Sequence, residues 1–171
     1  MDSLTTRYPA TAEIEFHESL AKGGADAIAA ALTQVLADYF ALYLKTKNFH
    51  WHMSGPHFRD YHLLLDEQSE AVLGATDAIA ERVRKIGRTT LRSVGHLARL
   101  TRIADNDEAD IGPRAMLSEL LLDNKAIRAA LREAHGICDE YGDVASASLI
   151  ENWIDEAEGR IWFLAETQER T

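Results

Sequence analysis

The sequence predicts an all-α fold: a four-helix bundle with a short extra helix in the connection between the second and third long helices. Three observations carry this reading. Apolar residues recur at i, i+4 and i+7 through most of the 171 residues, the period of one helix face. Only 3 Pro and 10 Gly interrupt the chain, so long helices are permitted. No segment alternates apolar and polar residues as a half-buried strand would. The length suits a single domain with a substantial core. Residues 1–22 read as an N-terminal extension and 23–168 as the bundle, with no internal repeat and no low-complexity tract.

Helix α1 is expected over 23–53. Ile28, Leu32, Val35, Tyr39 and Leu42 form one apolar stripe, and Leu36, Phe40 and Tyr43 form a second beside it. Two stripes imply packing on more than one side. Ser54-Gly55-Pro56 ends the helix, since Gly suits the C-terminal cap and Pro cannot continue it. Helix α2 follows over 58–86, with Tyr61, Leu64, Leu65, Val72, Ile79, Val83 and Ile86 on its apolar side and Gly87 as its stop. A short α3 fits Val94–Leu100, and Asp105-Asn106-Asp107 reads as a turn. Helix α4 is expected over 113–136, with Pro113 in the first turn and Met116, Leu120, Ile127 and Leu131 facing inward. Gly142-Asp143 separates it from α5, 144–167, expected to bury Leu149, Ile150, Trp153, Ile154, Ile161, Phe163 and Leu164. Four long helices with one longer middle connection make a bundle of the ferritin type.

Charge narrows the partners. Eighteen basic against 28 acidic residues give a net charge of −10, which disfavours a DNA phosphate backbone as main partner and favours cations. Residues 1–40 hold two basic side chains, Arg7 and Lys22, against six acidic ones, and 166–171 hold one Arg against two Glu, so neither end is a basic arm. The exception is 82–102, where Arg82, Arg84, Lys85, Arg88, Arg92, Arg99 and Arg102 occur without a carboxylate. That stretch reads as a solvated face or subunit contact, with a phosphate-binding patch as the alternative. No run approaches the roughly 18 apolar residues of a membrane span, and Met1–Ala10 lacks a signal-peptide pattern. The lone Cys138, expected to be small and buried, cannot form an internal disulfide. This fits a reducing, cytoplasmic location.

The chemistry concentrates between 48 and 81. His50, His52, His57 and His62 cluster at the α1–α2 turn. His62 and Asp66 are spaced i, i+4 and share one face of α2; so do Asp77 and Glu81, eleven positions on from Asp66 on nearly the same face. The rise of a helix puts the two pairs roughly 16 Å apart. Metal–ligand bonds are about 2.0–2.2 Å, so one ion cannot be held by both pairs of one helix. It can if α2 meets α2 of a second copy, antiparallel across a two-fold axis. His50 can reach back across the turn toward His62. Two imidazoles and three carboxylates suit Fe(II), Mn or Zn better than Cu(I), and the Glu-x-x-His motif of intramolecular di-iron bundles is absent. Trp51, Trp153 and Trp162 read as core or interface aromatics, and His17, His96 and His135 as solvated or capping residues.

The run Asn48-Phe49-His50-Trp51-His52-Met53-Ser54-Gly55-Pro56-His57-Phe58, followed by His62-x₃-Asp66 and Asp77-x₃-Glu81, resembles the Dps family of miniferritins within the ferritin-like superfamily. The resemblance implies a dodecameric shell with ferroxidase sites at two-fold interfaces. Each site would take His50, His62 and Asp66 from one subunit and Asp77 and Glu81 from its neighbour. It implies Fe(II) oxidation, preferably by hydrogen peroxide, with ferric iron stored inside and protection against oxidative damage. Iron would bind as a di-iron pair or as one ion plus a weaker second site, and Zn could use the same ligands. Asp66 and Glu81 would be the strongest anchors. Trp51 matches the family's tryptophan beside the iron, and His52 stands where Asn is often found. Family members that bind and compact DNA do so through lysine-rich tails, which the end compositions here lack; DNA compaction with secondary iron chemistry is the alternative reading. Acidic channels at three-fold axes begin near the last long helix, where Asp143 is the candidate.

Overall fold

The computed structural model describes residues 20–168. Most of the expected extension, 1–22, and with it His17, lies outside the described residues. Among those described, the chain is helical and has no strand: α1 Gly24–His52, α2 Phe58–Lys85, α3 Val94–Leu100, α4 Pro113–Tyr141 and α5 Val144–Glu166.

Helices α1 and α2 pack as one hairpin and α4 and α5 as another, and α1 also packs on α4 and α3. This central place explains the double stripe of α1. Ile28, Leu32, Val35, Leu36, Tyr39 and Leu42 are all fully buried, and Phe49 joins them near the far end. Contrary to the expectation that nothing in the chain is that apolar, α1 has the length and composition of a membrane span, with a mean hydropathy of 1.5 over its most apolar window. Its apolar surface faces the bundle core: 56% of that window is buried inside the protein. Two buried charges in α1 are paired. Asp38 takes the Arg102 guanidinium at 2.5 Å and the Arg102 backbone N–H at 2.6 Å. Lys45 meets Glu119 and Asp123, each at 2.8 Å, and donates to the Ala104 carbonyl at 2.9 Å. Arg102 and Ala104 hold the long α2–α4 connection against α1, and Glu119 and Asp123 tie α4 to it. Removing one partner would strand a buried charge, at a cost of about 3–5 kcal/mol.

Helix α4 runs to Tyr141, past the expected end at 136. Gly136 did not stop it because the apolar stripe continues across that position, burying Leu131, Ala134 and Cys138. A glycine inside a helix costs only about 1 kcal/mol, less than that burial returns. The stop is Gly142, left-handed at φ 72°, whose N–H bonds the Asp139 carbonyl. On α5 the buried line is Ile150, Trp153, Ala157, Arg160 and Leu164. Phe163 was expected inside but is 54% exposed, stacked edge-on against exposed Trp162. It falls off the buried stripe, where Arg160 takes the inward position and donates to Asn124 Oδ1 at 2.8 Å.

Candidate metal centre

The turn between α1 and α2 builds one half of the centre. Gly55 adopts φ 93°, which lets the chain reverse within a few residues. The reversal stacks the His50 and His62 rings, with centroids 3.7 Å apart and planes 18° from parallel. Each ring then bonds the other residue's backbone. His50 Nδ1 lies 2.8 Å from the His62 carbonyl, and His62 Nδ1 lies 2.9 Å from the His50 carbonyl. A carbonyl oxygen only accepts, so each Nδ1 carries the proton and donates. In the neutral ring that leaves the lone pair on Nε2, the state a metal ligand needs.

Asp66 sits one turn beyond His62, and its Oδ1 is 3.8 Å from His50 Nε2. The Lys47 ammonium, one turn before His50 on α1, rests on the same carboxylate oxygen. Lys47 holds the Asp66 carboxyl below the usual carboxylate range, chiefly through that hydrogen bond. Burial acts in the opposite sense, and the charge of Lys47 adds to the lowering. A cation therefore already stabilises this carboxylate in the free protomer. His50 is buried, while His62 and Asp66 are half-buried and open to one side.

Asp77 and Glu81 lie farther along α2, both exposed, with Glu81 paired to Lys85 at 2.9 Å. The structure thus brings His50, His62 and Asp66 together and leaves Asp77 and Glu81 about three helical turns away, as the rise per residue requires. Among the described residues no three His, Cys, Asp or Glu side chains form a set that could hold a metal ion. The exposed face of α2 between the two halves carries Leu63 and Leu73, each 41% exposed, with Gly74, where an added side chain would meet open space. Leucine and glycine there leave a surface another helix can approach closely.

The neighbouring residues stand apart from this cluster. His52 turns its Nδ1 to the Asn48 carbonyl of its own helix at 2.8 Å. His57 occupies the N-cap position of α2, with its ring 5.6 Å from that of Tyr61. Trp51 is 61% exposed. His96 lies in α3, its backbone N–H capped by Ser93 Oγ, and His135 sits between Asp139 and Glu151 at 3.1 and 3.2 Å.

Asp143, the sequence candidate for an acidic channel, is not placed to line one. It is buried as the N-cap of α5, accepting from the Ser146 N–H at 3.0 Å and hydroxyl at 2.6 Å, and from Arg82 at 2.7 Å. The sequence pattern did not single out Lys47, although its i, i+3 spacing from His50 puts both on one side of α1.

Residues 29–171 match the family model described as a ferritin-like domain. Antigen TpF1 of Treponema pallidum is 30% identical over 141 residues, covering 82% of this chain and 80% of that protein. The DNA protection during starvation protein of Brevibacillus brevis is 31% identical over 139 residues, covering 80% of this chain and 91% of that one. Among solved structures, DpsC from Streptomyces coelicolor superposes with a TM-score of 0.87 at 30% identity, covering 92% of each chain.

Proposed function

The chain belongs to the ferritin-like family, in its Dps branch, and from that premise we propose that it is a miniferritin that oxidises Fe(II) at sites shared between subunits and stores the ferric product. The observation that carries this reading is the division of α2. Two imidazoles with Nε2 lone pairs left free by their Nδ1 bonds form one half with Asp66, and Asp77 with Glu81 forms the other, too distant to serve the same ion within one chain. An antiparallel two-fold pairing of α2 joins the first half of each chain to the second half of its partner. Two equivalent sites per pair result, and a closed shell of such pairs, a dodecamer, encloses the mineral.

Iron is the substrate. The arriving cation takes over Asp66 from Lys47, so one positive charge replaces another on that carboxylate. The mixed N/O ligand set accepts Fe(II) and retains the harder ferric ion, and Zn(II) fits the same donors. Hydrogen peroxide is the preferred oxidant. Two Fe(II) each give one electron to one peroxide, which takes up two protons and leaves as two waters. The O–O bond breaks without releasing a hydroxyl radical, and this protects against oxidative damage. The net charge of −10 favours the approach of cations. The lone, buried Cys138 supports a cytoplasmic location.

The test is anaerobic loading with Fe(II), then addition of hydrogen peroxide, with ferric absorbance followed in time. Asp66→Ala with Glu81→Ala should reduce the rate to that of free iron. A rate equal to wild type would refute the assignment.

A further inference from the structure

The basic stretch 82–102 divides into three groups in the structure. Arg82 bonds Asp143 at 2.7 Å, Lys85 bonds Glu81 at 2.9 Å, Arg88 bonds Asp26 at 2.5 Å, and Arg102 bonds Asp38 at 2.5 Å. Those four find carboxylates outside the stretch. Arg84 donates to the Arg88 carbonyl at 2.8 Å. Arg92 and Arg99 remain, without a carboxylate partner among the described residues. Both line one pocket of about 390 Å³ on the α2–α4 connection, together with Thr89, Thr90, Ser93 and His96.

Every side chain in that lining can donate a hydrogen bond, and none is acidic. Two of the hydroxyls already accept one hydrogen bond each. Thr90 Oγ1 receives the Thr33 hydroxyl at 3.4 Å, and Ser93 Oγ receives the His96 N–H at 3.1 Å. Each keeps its own O–H as a donor at the pocket wall. Two unpaired guanidiniums beside hydroxyl donors, in a chain of net charge −10, match an oxyanion and repel a metal ion. The volume lies near the small end of ligand sites, which span about 300–1,000 Å³. It admits a tetrahedral anion with some of its water, or the phosphoryl end of a small ester. We infer that this pocket is a binding site for a phosphate-class oxyanion. It shares no residue with the metal centre, and its ligand is neither substrate nor product of iron oxidation.

The test titrates inorganic phosphate into the iron-free, full-length protein by isothermal calorimetry, with chloride holding ionic strength constant. Wild type should saturate at one phosphate per chain. Arg92→Gln with Arg99→Gln should weaken binding at least tenfold, while Arg84→Gln leaves it unchanged. Both pocket arginines are exposed, so the double variant keeps its fold, checked by its helical circular dichroism. Adenosine monophosphate, added as competitor, separates the two sources: displacement of phosphate shows a site that accepts phosphoryl esters, and lack of displacement shows one restricted to the free ion. Absence of saturation, or equal affinity in the double variant, would overturn the inference. So would a short DNA duplex whose retention depends on Arg92 and Arg99 when inorganic phosphate does not bind, since that assigns the patch to a nucleic-acid backbone.

Discussion

The proposed division of the metal centre between chains makes a quantitative prediction from mixing two inactive proteins. One variant carries His62→Ala with Asp66→Ala and so lacks the half-site at the α1–α2 turn. The other carries Asp77→Ala with Glu81→Ala and lacks the half-site farther along α2. Each homodimer has two broken sites. In a mixed pair, one site combines the intact turn of the second variant with the intact Asp77 and Glu81 of the first, and the other site combines both defects. Random assembly of equal amounts makes about half of all pairs mixed, each with one working site of two, so about one quarter of wild-type activity should return. The two chains are co-expressed with different affinity tags, recovered by tandem purification or as the unselected mixture, and assayed for peroxide-driven Fe(II) oxidation. Doubly purified pairs should approach half of wild type if each shell contains only mixed pairs. A mixture that stays inactive, although tandem recovery proves the chains have paired, would refute the shared site.

Lys47→Met should strengthen Zn(II) binding to the iron-free protein at neutral pH, because it removes the ammonium that competes for Asp66; unchanged or weaker binding by calorimetry would contradict that role. Asp143→Asn should cost about 3 kcal/mol in urea unfolding, the low end for a broken buried pair since Arg82 is partly exposed, and a loss within error would exclude the cap and ion pair as a structural tie. Burial alone would raise the Asp143 carboxyl, yet the Ser146 hydroxyl and N–H and Arg82 outweigh it and hold the group below 3.8. Its stabilisation is therefore present above about pH 4 and fades as pH falls through the lower folded-state value. The Asn variant should show a shallower loss of stability on acidification below that point. The Cys138 thiol, pushed up to about 11 chiefly by burial, should resist a thiol-specific disulfide reagent at pH 8 until urea unfolds the chain; prompt labelling of the native protein would refute its burial.

Helix periodicity was enough to read the bundle. The two stripes of α1 foretold a helix surrounded by neighbours, and the i, i+4 spacings on α2 foretold that Asp77 and Glu81 lie about three turns from His62 and Asp66. What periodicity could not give was the competition between a local rule and a tertiary one. The expected end of α4 at 136 fell short because the burial of Cys138 carries the helix on to Tyr141, and Phe163 counted as core by composition although Arg160 held the inward phase. Asp143 was read for its charge alone. Its position after Gly142 at a helix start also carries the N-cap signal, and that reading explains its burial. The state of the histidines was not legible, because it depends on two backbone carbonyls that meet the rings only once the chain has turned. Nor was the division of the basic stretch, since the carboxylates that neutralise Arg82, Arg88 and Arg102 come from α5 and α1.

The crossed bonds between His50 and His62 tether each ring to the opposite strand of the hairpin, as two buttons fasten both flaps of a coat. Ligand orientation is thus inherited from the length and shape of the five-residue bend, 53–57, as much as from the imidazoles themselves. A substitution for Gly55, whose φ of 93° strains any other side chain, would shift the bend and with it both rings. On the proposed function, redesign of iron affinity begins at the bend, with every donor left in place.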